Sequence, residues 1–321
     1  MMQEASSREF IYNDRAPMRL DRFLSAQIQG FSRTRIQDLI RNGKARVNAR
    51  ACAPSRLLQP GDVVALEIPA PSSATPQPEE IQLDILYEDS DLLVINKPAG
   101  MVVHPAAGNP AGTLVNALLA HCQDLSGIGG VMRPGIVHRL DKLTSGCICV
   151  AKNDFAHRHL SRQLASRKMG RTYLAWLSGV LPERTGSIDL PVGRSERNRI
   201  LMAAGKGRSA VTHWRVTDFA PGLTRVLCNL ETGRTHQIRV HFAHIGYPVV
   251  GDPAYGAPLR VARLKIPAAH SDIQKALAGI HRQLLHAWKI RLEHPRTELL
   301  MEFEAPLPKD FQEFDAVVLN R

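Results

Sequence analysis

The chain has 321 residues, 44% of them hydrophobic, with 41 Lys/Arg against 30 Asp/Glu and a formal net charge of +11. That length accommodates one large domain plus a small one, each with a core, and the charge points to a polyanion, nucleic acid ahead of membrane or acidic protein. No apolar run reaches bilayer length, no signal peptide opens the chain, and five scattered cysteines (Cys52, Cys122, Cys147, Cys149, Cys228) fit reduced thiols and a cytoplasmic address.

Residues 1–17 read as a flexible leader. Leu20, Phe23, Leu24 and Ile28 then recur at helical spacing. Ser32 is a candidate N-cap for a second helix carrying Ile36, Leu39 and Ile40, which Asn42-Gly43 would stop. Short strands follow at 45–47 and 63–68. Residues 19–50 hold eight Lys/Arg against two acids. Arg33, Arg35, Arg41 and Lys44 form either a phosphate-facing patch or a merely solvated helix face. Residues 70–82, with three prolines and no apolar period, read as a linker. The domains expected are therefore 18–69 and 83–321.

Beyond the linker, residues 85–100 predict a hairpin of buried strands ending in a turn, and residues 113–121 a short helix. The glycines at 127, 129 and 130 lack the strand, helix and offsets of a phosphate-binding loop. Residues 135–151 read as a strand, a tight polar turn and a second strand, with Gly146 letting the backbone return to the sheet. In that turn Asp141 stands between Arg139 and Lys142, which hold it ionised. Such a carboxylate suits a nucleophile or a base, and an ordinary loop ion pair has the same residues. Cys147 and Cys149 share one strand face and fit core packing better than metal.

Asp154 is a candidate cap for a helix with Ala156, Leu160 and Leu164 inward and His157, Arg158, Arg162, Arg167 and Lys168 outward. Residues 171–177 alternate as a strand with Tyr173, Ala175 and Leu177 on one face. Residues 193–209 carry five cations against Glu196 and read as a mobile basic loop or a surface insertion. A strand then ends at Gly233, and a helix is expected from near Thr235 with Ile238, Phe242 and Ile245 inward. His236, His241 and His244 diverge on such a helix and lack zinc-ligand spacing, so no metal is expected. Strands near 284–288 and 301–305, around the His294-Pro295 turn, close the chain.

The stretch His-Arg-Leu-Asp-Lys-Leu-Thr-Ser-Gly (138–146) resembles the signature of the RluA-type RNA pseudouridine synthases. Lys97-Pro98 with 100–105, Tyr173 in its strand, and Gly-Arg-Thr-His-Gln-Ile-Arg (233–239) are similar to the other motifs of that family. Residues 18–69 resemble the S-four-type (alpha-L) RNA-binding domain. The resemblance implies an α+β fold: a mixed, mainly antiparallel sheet flanked by helices, preceded by that small α/β RNA-binding domain.

It further implies an enzyme that isomerises uridine to pseudouridine without metal or cofactor. Asp141 would be the nucleophile, Arg239 its ionic partner, and Tyr173 and Ile238 the two walls around a flipped base. Arg139 would fill the space the base vacates, and Lys97 and Arg234 would shape the pocket. His138 is expected as a structural hydrogen-bonder near it. Arg33, Arg35 and Lys44 would meet RNA.

Residues 102–113 and 230–241 are most similar to the branch acting on large-subunit (23S) rRNA, synthase D. Leu143 replaces the acidic residue expected there and leaves the target uridines open, other rRNA or tRNA included. A ribosome-assembly factor without catalysis is the alternative from another class. A monomer is the family default.

Overall fold

The computed structural model describes residues 6–28, 33–68, 76–106, 108–122, 125, 135–196, 198, 201–256, 266 and 270–319, without the side chains of residues 6 and 33–35. It divides into two compact units, Met1–Ala74 and Thr75–Arg321.

The first unit has the order β1 (Ser6–Ile11), β2 (Met18–Arg19), α1 (Leu20–Gln27), α2 (Arg33–Arg41), β3 (Ala45–Val47), β4 (Arg50–Ala51), β5 (Leu57–Leu58) and β6 (Val63–Ile68). Strands β1-β6-β3-β4 form one antiparallel sheet, and β2 pairs with β5. Leu20, Phe23, Leu24, Ile36 and Ile40 from the helices close on Val47, Val64 and Leu66. Ser32, the expected cap of α2, lies outside the described residues.

One expectation is corrected here. Residues 6–11 of the supposed flexible leader are a strand, paired with β6 from Ser6↔Ile68 to Ile11↔Val63. Only one side of that strand meets the core, so its apolar content is thin. What anchors it is aromatic: Phe10 and the fully buried Tyr12 meet Phe23 edge-to-face at 6.2 and 5.3 Å.

The second unit contains β7 (Ile85–Glu88), β8 (Leu92–Lys97), α3 (Leu114–His121), β9 (Ser145–Ala151), α4 (Asp154–Ala165), β10 (Gly170–Ser178), β11 (Thr185–Asp189), β12 (Val192–Arg194), β13 (Met202–Ala204), β14 (Val211–Ala220), β15 (Leu223–Leu230), α5 (Gln237–His244), α6 (Ser271–Ala278), β16 (Leu285–Glu293), β17 (Leu300–Glu304) and α7 (Lys309–Leu319). The main sheet runs β11-β14-β15-β10-β16-β9-β8-β7, with β17 also on β16. Its pairings are antiparallel except β9 with β16. It is the mixed, mainly antiparallel sheet with flanking helices that the motifs imply.

Side chains on the two faces of β10 enter different cores, Tyr173, Ala175 and Leu177 one, Leu174 and Trp176 the other. That double burial is what a central strand requires.

Several local differences have physical causes. Residues 135–138 are not a strand but make a single bridge, Ile136↔Val150, because Gly135 takes φ +70° pressed against Ala151. Gly146 (φ +112°) is indispensable, since a side chain there would collide with the Ala287 backbone where β9 joins β16. Asn153, not Asp154, caps α4, its side chain accepting the Ala156 N–H at 2.9 Å.

Ile245 is exposed rather than inward. The expected mobile loop at 193–209 includes an antiparallel hairpin, β12 with β13. Arg197 and Arg199, the loop at 126–130 and the linker residues 70–75 lie outside the described residues. All five cysteines are free thiols, four of them buried. Burial pushes Cys147 and Cys149 up to about 12, which suits packing rather than reactivity.

Candidate active site

A cavity of about 510 Å³ opens where the 136–144 turn, β10 and the start of α5 converge. Asp141, Arg139, His138, Tyr173, Arg234, Ile238 and Arg239 all line it. Residues separated by up to 101 positions in sequence are thereby brought to one place, and the size suits a nucleoside.

Asp141 is mostly buried (16% exposed), and its Oδ2 accepts from Arg239 Nη1 at 2.9 Å. Its Oδ1 accepts no hydrogen bond among the described residues; His236 Nε2 stands 3.9 Å away, beyond hydrogen-bond reach. The carboxylate is thus held from one side and open on the other.

Arg239 is itself immobilised. Its Nε and Nη2 clasp Asp252 at 2.7 and 2.9 Å, and its guanidinium lies 5.1 Å from the centre of the Tyr255 ring. Burial alone would lower its pKa, yet Asp252 first and Asp141 second raise it, so the charge is permanent. Asp252 also accepts the backbone N–H groups of Ala254 and Tyr255, which fixes the turn it stands on.

The turn carrying Asp141 is tied down from several sides. Thr144 N–H returns to the Asp141 carbonyl at 3.1 Å, and Gly100 N–H holds the Lys142 carbonyl at 2.8 Å. Arg282, paired with Asp310, donates to the Leu143 carbonyl at 3.1 Å. Lys97 belongs to this scaffold, and here the expectation of a pocket wall is corrected. It is fully buried, absent from the cavity lining, and donates to the carbonyls of Pro98, Met101 and Lys142 at 2.7, 2.9 and 3.4 Å. Burial pushes its ammonium down to about 7, with the nearby Asp141 charge opposing that fall.

The opposite wall comes from β10 and α5. Tyr173 is 6% exposed and its phenol is pushed up to about 12 by burial, so it stays protonated. Ile238, 3% exposed, faces the same cavity from the first turn of α5. That helix is buried nearly all round, and its polar members are satisfied inside. Gln237 bonds Thr232, Thr212, the Arg234 N–H and the Val211 carbonyl, and His241 bonds Thr212 and the Leu190 carbonyl. His241 therefore has no nitrogen left for a metal.

His236 adopts φ +57° at the helix start and meets the Tyr255 hydroxyl at 2.8 Å, which also accepts the Met202 N–H of β13. The β12–β13 hairpin is thus anchored to the site. Arg139 is exposed at the rim, and Arg234 is steadied by the Ser209 carbonyl. His138 Nε2 accepts the Cys149 N–H at 3.1 Å, and burial pushes the imidazole down to about 3, so it is neutral.

Asp252, Tyr255, His236 and Arg282 are the site residues that sequence reasoning missed. The signal for Asp252 was the Gly-Asp-Pro turn at 251–253, an acid placed on a rigid corner. In the first unit Lys44 is exposed and pairs with Glu67 at 2.7 Å, and Arg41 pairs with Asp38. The side chains of Arg33 and Arg35 lie outside the described residues. Glu88, His121 and Cys122 present ligand atoms within 4.8 Å of one another, but Lys152 already bonds Glu88, and the three are absent from the cavity lining.

Residues 91–244 match the RNA pseudouridylate synthase model, and residues 18–64 match the S4 domain. The chain is 46% identical over 296 residues to the uncharacterized RNA pseudouridine synthase YlyB of Bacillus subtilis, covering 92% of both chains. The chain belongs to the RNA pseudouridine synthase family. It is 42% identical over 312 residues to ribosomal large subunit pseudouridine synthase D of Pseudomonas aeruginosa.

 The Pseudomonas alignment spans 97% of this chain and 94% of that enzyme; synthase D of Xanthomonas campestris, also 42% identical, aligns over 96% of this chain and 92% of its own length. Among solved structures, human RNA pseudouridylate synthase domain containing 1 superposes with a TM-score of 0.55 at 27% identity, covering 77% of this chain and 90% of that one. The chain is thus an RNA pseudouridine synthase, an isomerase, with an S4 RNA-binding domain in front.

Proposed function

We propose that this synthase converts specific uridines of large-subunit (23S) rRNA to pseudouridine, with Asp141 as nucleophile on a uridine flipped out of its stack. The observation that carries the mechanism is the half-open carboxylate: Asp141 is gripped by Arg239 on Oδ2 and, among the described residues, uncommitted on Oδ1, facing a cavity large enough for a nucleoside.

The reaction breaks the N1–C1′ glycosidic bond, turns the base, forms C5–C1′, and moves a proton from C5 to N1. No electron is gained or lost. A nucleophile forms a transient bond that splits this into two easier steps. Arg239, bonded to Oδ2, holds the carboxylate in place with Oδ1 toward the cavity. Tyr173 and Ile238 wall the cavity and keep the detached uracil from escaping. A base in a duplex is out of reach, so it must leave the stack, with Arg139 at the rim placed to fill the gap.

Several relatives of this chain are named ribosomal large subunit pseudouridine synthase D, which supports the rRNA target. The exposed cations of α4 (Arg158, Arg162) and of the turn that follows it (Arg167, Lys168), with Lys44 of the S4 domain, are the proposed RNA-facing groups, with the protein acting as a cytoplasmic monomer. Pseudouridine mapping of rRNA and tRNA, with and without the gene, tests the target. Sites lost from 23S rRNA are expected; loss confined to tRNA overturns that assignment.

A further inference from the structure

The cavity holds a second buried guanidinium, which no group among the described residues satisfies. Arg171 stands on β10 two residues before Tyr173, on the same strand face, and is 9% exposed. Among the described residues no carboxylate or carbonyl bonds it, and its Nε is sealed away without a partner. Gly233 faces it: a Cβ there would come within 2.5 Å of Arg171 Nη1, so the glycine keeps open the space the guanidinium occupies.

A second orphan donor belongs to the same cavity. His138 Nε2 accepts the Cys149 N–H, which places the imidazole proton on Nδ1, and Nδ1 is buried without a partner. Buried donors left unbonded are costly, a charged one most of all. Two of them lining one cavity mark the place of an acceptor that arrives with the substrate.

That acceptor has a definable chemistry. Positions i and i+2 of a strand lie roughly 7 Å apart, a separation comparable to that between a base and its own phosphate. A planar guanidinium with several donors matches phosphate oxygens in a bidentate fork. We infer that Arg171, with His138 Nδ1–H as the second donor, is a clamp for a phosphate of the target nucleotide. This inference rests on the proposal that Tyr173 walls the uridine.

The Arg171 Nε–H resonance, followed by nitrogen-edited NMR in the full chain, tests it. Uridine 5′-monophosphate or 3′-monophosphate should shift that resonance, and uridine at equal concentration should not. Equal shifts from uridine and its monophosphates overturn the clamp. On RNA, Arg171→Gln should raise KM about tenfold with kcat changed less than threefold. It should also flatten the slope of log K against log salt by about 0.7–0.9, the loss of one phosphate contact.

Arg171→Lys should recover most of the slope, a readout that a purely structural role would not move. Gly233→Ala, which displaces the guanidinium without removing its charge, should raise KM in the same direction and serves if Arg171→Gln fails to fold. Unchanged KM and slope in both variants overturn the clamp. If the monophosphates engage Arg171 but no RNA acquires pseudouridine, the clamp stands and the proposed reaction falls. If pseudouridine forms while Arg171 ignores the monophosphates, the clamp alone falls.

Discussion

Asp91 and Asp141 are both aspartates gripped by an arginine, and they are spent differently. Asp91 is 1% exposed and saturated: Arg296 donates to both oxygens at 2.6 and 2.7 Å, and Asn153 adds a third bond at 2.6 Å. It locks the turn before β8 to the cap of α4 and to the 294–297 turn. Asp141 receives one arginine bond and keeps Oδ1 open to the cavity. Saturation makes a carboxylate a fastener, and an unused oxygen on a rigid mount leaves it available for chemistry.

The largest effect separating the two centres should come from Asp141→Asn. Pseudouridine formation is expected to fall on the order of 10⁴-fold or more, with RNA binding and Tm little changed. Activity surviving in a tritium-release assay would remove Asp141 from the nucleophile's role. Next comes Asp252→Asn, which halves the grip on Arg239. We expect kcat to fall about 10²-fold through misaim of Asp141 and stability to drop about 3 kcal/mol in urea titrations, because a buried charge loses its partner.

Asp91→Asn should do the reverse, costing stability while leaving kcat intact. The hydrogen bond from Arg296 lowers the Asp91 pKa from 3.8 to about 2, against the opposing effect of burial. Discounted for the 62% exposed Arg296, this corresponds to about 1–2 kcal/mol. Because the folded pKa is depressed, the contribution is fully present above pH 4 and is lost as pH falls through about 2. Acid unfolding should therefore lose that component in the variant, and a difference of the same size persisting below pH 2 would contradict the assignment.

The smallest effect is expected for Lys44→Ala in the S4 domain. RNA affinity should weaken severalfold at most, and the salt slope should flatten by about 0.7–0.9 if Lys44 meets one phosphate. An unchanged slope would make Lys44 only a surface partner of Glu67.

Much of the site was legible because its chemistry sits in short contiguous runs. The turn at 138–146 and the run at 233–239 carried Asp141 and Arg239 as motif residues, and the period-2 pattern at 171–177 placed Tyr173 on an inner face. What stayed illegible depended on partners distant in sequence. Lys97 looked like a basic wall, yet its ammonium is turned into three carbonyls, a fate decided by how the 98–101 and 142 backbones fold around it. Strand β1 was missed because an edge strand with one buried side needs little apolar sequence. Helix α5 was expected with one inward face, yet it is buried on nearly all sides, and its polar residues are satisfied internally by partners distant in sequence.

By itself, the sequence determined the two-part organisation, the strand and helix signals of the core, and the identity of the residues able to carry the chemistry, since side-chain type and local spacing are properties of the chain alone. Only the tertiary structure decided how far each charge is neutralised. It joined Asp252 to Arg239 and Arg239 to Asp141, saturated Asp91, buried Lys97 among carbonyls, and left the Arg171 Nε without a partner among the described residues. The physical reason is that desolvation and hydrogen bonding depend on which segments fold together. Identical arginines and aspartates become fasteners, tools or waiting receptors only once burial and partners are assigned.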